Sequence, residues 1–491
     1  MLRRSLILAW LSITFVPAFC AADVKLPVIF SDHMVLQQGI ELPFWGWAEP
    51  GEEVTVTVAG KSVTTKASDK GKWSVKAPAI AEFGPVAVKI AGKNVIELKD
   101  VLSGDVWLCS GQSNMEWSIE HSGNPQAELA AANYPNMRFI QIPKVPSTEP
   151  LPDGKHPWTL VTPENVAGLT GQGGKYGQGG LSAVGYYFAR ELQAALNHPI
   201  GLIHDTWGGT ICEAWTSEST LKNDGDYAEI LSRAATQNAD PNQAGNPNRA
   251  CVLYNGMLEP IRPFAIKGAI WYQGESNAGR AYQYRKLFPA MIADWRKQWG
   301  QGDFPFLFVQ LAAFMKRLDE PADSAWAELR EAQTMALSSP KTGMAVTIDI
   351  GDAVDIHPKN KQDVGKRLAL NALSIAYGKD NVAAGPLYRS MTVEGNKIRI
   401  QFHNVDGGLA AQGEKLTGFA ICGADRKFVW ADAKIDGDSV LVSAESIKEP
   451  IAVRYAWADN PDCNLINKLG LPASPFRTDD FPGTTANNKY G

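Results

Sequence analysis

Between about residues 105 and 378 the chain alternates short apolar runs with helical segments, and this alternation constrains its fold more than any other feature. Val106 to Cys109, Pro199 to His204, Ala265 to Tyr272, Phe306 to Leu311 and Met344 to Ile350 read as strands. Helices are expected over Ser182 to Asn197, 281–299 and 361–377. The first of these carries Val184, Tyr187, Phe188 and Leu192 on one face and Ser182 as its cap. Strand then helix, repeated, predicts a parallel sheet with helices on both faces.

The flanks have a different texture. From about 24 to 100, Val54-Thr55-Val56-Thr57-Val58 alternates at period two, Trp73-Ser74-Val75 begins another strand, and Pro50-Gly51 and Ala59-Gly60 mark turns. These features predict a small immunoglobulin-like sandwich. From about 380 the alternation returns in Ile398 to Phe402 and Ser439 to Val442, predicting a second sandwich whose closing segment packs back onto the centre. The expected division is a signal peptide over 1–22, an N-terminal β-sandwich over 23–103, an α/β domain over 104–379 and a β-rich domain over 380–491. Stretches 171–180 and 237–249 read as long solvated loops.

Arg3 and Arg4, the apolar stretch Leu6 to Phe19, and Ala21-Ala22 have the order of a secretory signal. The apolar part is shorter than the ~20 residues a membrane span needs. The expected location is therefore exported, periplasmic or secreted, with no membrane attachment after cleavage at Ala22. Cleavage leaves Cys109, Cys212, Cys251, Cys422 and Cys463, an odd set that requires at least one thiol outside any internal disulfide. Cys422 and Cys463 are a candidate pair. Lys and Arg total 47 against 52 Asp and Glu, a net charge of -5, and no basic run is present; these features exclude a nucleic-acid partner.

In a parallel α/β sheet, ligands gather beyond the carboxyl ends of the strands. Four unusual segments fall there: Ser110 to Met115, Asp205 to Thr210, Gln273 to Asn277, and Gly351 to Pro358. Ser113 follows a strand and a glycine at an expected helix start, where free N–H groups favour developing negative charge; this suits a nucleophilic hydroxyl. His357 is the natural base, with Asp355, Asp352 and Asp349 as competing carboxylates to orient its ring. Gly208 or Gly209 could bring a backbone N–H to a substrate oxygen, and Gln273 or Asn277 could add a side-chain donor. No Cys-x-x-Cys pair or second histidine near His357 suggests a metal site.

Gly-Gln-Ser-Asn-Met at 111–115, Trp-Gly-Gly-Thr at 207–210, Trp-Tyr-Gln-Gly-Glu-Ser-Asn at 271–277 and Asp-Ile-His-Pro at 355–358 resemble the SGNH hydrolase superfamily, in its sialate O-acetylesterase and carbohydrate acetylesterase branch. The resemblance extends to Trp457-Ala458-Asp459-Asn460-Pro461. It implies an SGNH-type α/β/α domain flanked by β-sandwiches and a serine esterase without metal or organic cofactor. In that reading Ser113 is the nucleophile, His357 the base and Asp355 its orienter. Ser113, Gly208, Gly209 and Gln273 form the oxyanion hole. The usual superfamily Asp lies three residues before His, where this chain has Val354.

The implied substrates are an acetylated sugar, sialic acid or a hemicellulose oligosaccharide, and water. Trp117, Trp207, Trp215 and Trp271 lie near the motifs and could stack on a sugar ring. Glu213, Glu275 and Asn277 could hydrogen-bond its hydroxyls. A sialate carboxylate calls for an arginine fork, for which Arg280 is the candidate.

Overall fold

The computed structural model describes residues 23–153, 156–168 and 180–489. The expected signal peptide and almost all of 171–180 lie outside them. Six parallel strands form the central sheet: β1 (Leu102–Gly111), β2 (Tyr134–Gln141), β3 (Ile200–Thr206), β4 (Gly268–Tyr272), β5 (Phe306–Val309) and β6 (Thr342–Ala345). Their order is β2-β3-β1-β4-β5-β6, with Thr159–Val161 antiparallel along the free edge of β2. All ten residues of β1 are buried, as expected of a central strand covered on both faces.

The helices are α1 (Ser113–Glu116), α2 (Ala183–Leu196), α3 (Ala281–Trp299), α4 (Ala325–Met335) and α5 (Lys361–Ile375). The Ser182 side chain caps α2 by accepting from Gly185 N–H, as its sequence anticipates. Helices α2 and α5 share one face of the sheet, where Gly365 presses against Tyr187. On the other face, Trp295 of α3 packs edge-on against Trp271 of β4, ring centres 5.5 Å apart.

The register puts Thr206 beside Gly111 and Gly111 beside Tyr272, while Val309 pairs with Ala345. The strands therefore stop together, and the loops that follow open on one edge. The expected strand Met344 to Ile350 is shorter, ending at Ala345. Val346, Thr347 and Ile348 stay buried, but β5 has already ended at Val309 and offers no ladder beyond it.

The flanks are antiparallel. A four-stranded sheet spans Glu53–Val58, Lys61–Lys66, Val88–Ala91 and Val95–Leu98, beside the pair Leu42–Trp47 and Lys72–Ala77. The expected boundary at 103/104 falls inside β1, and Val35–Gln37 extends the lower end of that strand in parallel. After α5 come two four-stranded sheets. Tyr388 and Phe402 of one pack on Phe476 of the other, ring centres 4.9 and 5.9 Å apart.

The five described cysteines are all free thiols. The suggested Cys422–Cys463 bond is not made, because Cys463 lies against Gly418 rather than Cys422. Four residues along a strand span ~13 Å, about twice the Cα separation that a disulfide tolerates.

One buried arginine ties the closing segment to the centre. Arg330 of α4 donates to the carbonyls of Leu311, Ala312, Ala458 and Asp459 at 2.7–2.9 Å. Burial pulls its guanidinium down to about 9. Replacing Arg330 with Met leaves four carbonyls without this donor, at an expected cost of about 3–5 kcal/mol. Urea unfolding should show this as a lower midpoint with an unchanged slope; an unchanged midpoint would mean that solvent replaces the clamp without loss.

Candidate active site

Ser113 is the first residue of α1, a single helical turn reached directly from the end of β1. Gly111 makes that turn possible. Its φ is +135°, and a side chain there would run into the Tyr272 carbonyl on the neighbouring strand. The loop after β6 returns to the same edge and places His357 Nε2 2.9 Å from Ser113 Oγ. Asp355 Oδ1 lies 3.5 Å from His357 Nδ1 and accepts the His357 backbone N–H at 2.9 Å.

The competing carboxylates are engaged elsewhere. Asp352 Oδ1 accepts from Val354 and Asp355 N–H, and Asp349 holds Arg367 with both oxygens at 2.7 Å. The His357 ring lies flat on Trp117, centres 4.4 Å apart and planes 11° from parallel, while Trp117 Nε1 donates to the His121 carbonyl. Burial, and then the Lys361 charge, lower the imidazole's proton affinity against the opposing pull of Asp355. Such a histidine is neutral, and able to accept a proton, at neutral pH.

The expected oxyanion donors separate. Gly208 N–H donates to Glu116 Oε2 at 2.7 Å and is occupied. Gly209 is exposed, and its N–H has no acceptor among the described residues. Gln273 lies behind the site, completely buried: its Nε2 donates to Thr210 O at 3.0 Å and Asn277 Oδ1 at 2.6 Å, while its Oε1 accepts from Tyr284. With both N–H bonds spent, Gln273 braces the loops instead of facing a substrate. Asn277 is equally internal, donating to Glu213 and accepting from Cys212 N–H.

The sugar-contact expectations are corrected in the same way. Trp215 and Trp271 are fully buried core residues, so neither can stack on a ligand. Glu213 is sealed in an ion pair with Arg280 at 2.6 Å, and Arg280 also donates to Gln283. That occupation removes Arg280 from the role of a carboxylate fork. Glu275 Oε1 accepts from Asn114 Nδ2 at 2.6 Å, and burial raises the carboxyl's proton affinity. Trp207 alone among the six expected contacts combines partial exposure with a large flat face.

The motif reading passed over Gln112. Its Oε1 faces Gly274 and Ser276 N–H at 3.4 and 3.3 Å, and its Nε2 has no acceptor among the described residues. Its place immediately before Ser113 was the available signal. Among the described residues no three His, Cys, Asp or Glu side chains gather as a metal-ligand set, and no helix is long and apolar enough to cross a membrane.

Residues 103–374 match the family described as carbohydrate esterase, sialic acid-specific acetylesterase. The chain belongs to that family. It is 32% identical to the sialate O-acetylesterase of Mus musculus over 91% of this chain and 92% of the relative. The Homo sapiens sialate O-acetylesterase is 32% identical over 93% of each chain. Among solved structures, a carbohydrate acetylesterase from Xanthomonas citri superposes with a TM-score of 0.83 at 40% identity, covering 93% of this chain and 100% of its own. The protein is accordingly a carbohydrate O-acetylesterase, whose substrates are an acetylated sugar and water.

Within this esterase, Arg280→Gln should act on stability. It leaves Glu213 as a buried carboxylate without its cation, which costs about 3–5 kcal/mol. A variant with the parent's unfolding midpoint but a raised KM for an anionic sugar would instead put Arg280 in the sugar site.

Proposed function

We propose that hydrolysis proceeds through an acetyl-enzyme on Ser113, with His357 as general base and acid and Asp355 orienting the imidazole. The observation that carries this reading is the 2.9 Å approach of His357 Nε2 to Ser113 Oγ on the edge where the strands end together. In the first half, His357 takes the Ser113 proton as Oγ bonds to the acetyl carbon, then gives that proton to the departing sugar oxygen. In the second half, His357 deprotonates water, which attacks the acetyl carbon; acetate leaves and Ser113 recovers its proton.

The developing oxyanion is held by the Ser113 and Gly209 N–H groups, with the Gln112 amide as side-chain donor in the place first expected of Gln273. Gln112→Ala should lower kcat about 10²-fold with little change in KM. Gln273→Ala should chiefly lower the unfolding midpoint. The reverse pattern would return the donor role to Gln273.

For the sugar, the curated relatives support O-acetylated sialic acid, with Trp207 as the accessible stacking surface. A neutral acetylated sugar, such as a hemicellulose oligosaccharide, is the second reading; the sealed Glu213–Arg280 pair favours it by withdrawing the expected carboxylate partner. Residues 1–22 support export of the mature chain to the periplasm or medium.

Acetate release should be measured side by side on 9-O-acetylated sialic acid and acetylated xylo-oligosaccharide. Ser113→Ala and His357→Ala should each reduce turnover by at least about 10³-fold without unfolding the protein. Turnover of one substrate alone selects between the readings, and full activity in Ser113→Ala overturns the mechanism.

A further inference from the structure

Lys361, the first residue of α5, is a completely buried lysine four positions after His357. Its Nζ donates to Asn114 Oδ1 at 2.6 Å, its sole oxygen partner among the described residues. The ammonium otherwise faces aromatic rings, 5.5 Å from the Tyr272 centroid and 5.9 Å from that of Trp117. No carboxylate lies in salt-bridge contact with it among the described residues, although an isolated buried ammonium is costly. Such a placement calls for a reason.

Its bonded neighbour provides one. Asn114 follows Ser113, and its Nδ2 donates to Glu275 Oε1 at 2.6 Å and to the Ile356 carbonyl at 3.0 Å. The Ile356 carbonyl belongs to the peptide that leads into His357. Lys361, Asn114 and Ile356 thus join the element carrying the nucleophile to the loop carrying the base. Trp117, against which His357 stacks, is the second object that Lys361 reaches.

We propose that Lys361 is a positioning residue of the esterase: through Asn114 it holds the His357 loop over Ser113, and its positive charge, beside the indole that carries the imidazole, opposes a second positive charge on His357. This inference rests on the reading of His357 as the base. It adds a reason why a histidine accompanied by Asp355 remains an unprotonated base into the acid range.

The surrounding charges agree in direction. His357 is faced by Asp355 from its own loop, which favours protonation, and by Lys361 from α5, which opposes it. Ser113 and Trp117, the other groups against the ring, are uncharged. Asp352 is turned to backbone N–H groups, and Asp349 is neutralised by Arg367. Around Lys361, Glu275 and Asp355 favour the ammonium, but burial outweighs them and draws its pKa down to about 7. Below that point Lys361 carries its charge, so the acid-side titration of His357 takes place beside a cation. Removing the cation raises the imidazole's pKa, leaving less neutral base at a given acidic pH.

The test is the pH dependence of kcat/KM for Lys361→Met and Lys361→Arg against the parent enzyme, with an acetyl ester as substrate. The Met variant should shift the acid limb upward by about half to one pH unit. Its kcat at neutral pH should fall about tenfold, with KM changed by less than about threefold. Lys361→Arg, which keeps the charge, should leave the limb where the parent has it. A Met variant with a lower rate but an unmoved limb makes Lys361 a packing residue and overturns the proposal.

A second measurement needs no folded variant. In the parent enzyme with labelled histidine, the His357 ring resonance should show its own titration and a smaller inflection where Lys361 loses its proton; a single inflection overturns the coupling. His357→Ala separates the two levels of the argument. If it keeps full turnover, the reading of His357 as base has failed; if it is inactive and the acid limb ignores Lys361, only the present inference has.

Discussion

The hydrogen-bond register of the central sheet is the constraint on which the rest of the site depends. With Thr206, Gly111 and Tyr272 in one row, three chain segments far apart in sequence leave the sheet at the same height. Each then has only a few residues in which to form its loop, so Gln112-Ser113, Trp207 to Gly209 and Gln273 to Asn277 must lie close together. Gly111 is the tightest point of this arrangement, since its backbone fills the space a side chain would need. A one-residue slip of β1 against β4 would turn Ser113 away from His357 and disturb the buried faces of both strands.

Crowding so many polar segments beneath one edge raises a desolvation problem, which the protein solves by pairing them among themselves. Glu213 takes Arg280 and Asn277, Asn277 takes Gln273, and Gln273 takes Thr210 and Tyr284. Glu116 takes Lys144 and Gly208 N–H, while Asn114 links Lys361, Glu275 and Ile356. Most polar motif residues therefore serve the shape of the loops. The surface left for a substrate is small and chiefly uncharged: Ser113, His357, Gly209, Trp207 and the Gln112 amide. An acetyl group needs little more than a nucleophile, a base and N–H donors, and such a surface can meet that requirement.

This division explains what was legible in the sequence. The parallel sheet could be read because its strands are unbroken apolar runs, and the Ser113–His357 pair because both lie where those runs end. Distinguishing a motif residue that faces the substrate from one that faces its neighbours was beyond the reach of spacing. Gln273 and Gln112 are both glutamines in glycine-containing turns, and their hydrogen-bond partners alone tell them apart. Trp215 and Trp271 misled for a related reason, since the aromatic residues that would stack on a sugar are also those that fill a core. The overlong strand 344–350 arose because Val346 and Ile348 are buried without a strand beside them. Burial leaves an apolar pattern whether or not the backbone is laddered.

The closing segment of the chain belongs to the same mechanical system. Through Arg330, the carbonyls of Ala458 and Asp459 are bound to those of Leu311 and Ala312. Phe314 N–H donates to Asp459 O, and Asn460 fixes the Met315 carbonyl. The intervening Ala313 carbonyl receives Asp352 N–H, and Gly351 packs so closely on Ala313 that a side chain would not fit. Asp352 in turn caps the turn that carries Asp355. A continuous set of bonds therefore leads from the C-terminal β region to the base of the His357 loop. The loop needs such support because β6 stops at Ala345, leaving twelve residues to reach His357 without a strand to guide them. On this argument the C-terminal sheets contribute to catalysis by holding the longest of the active-site loops, a role that requires no sugar-binding surface of their own.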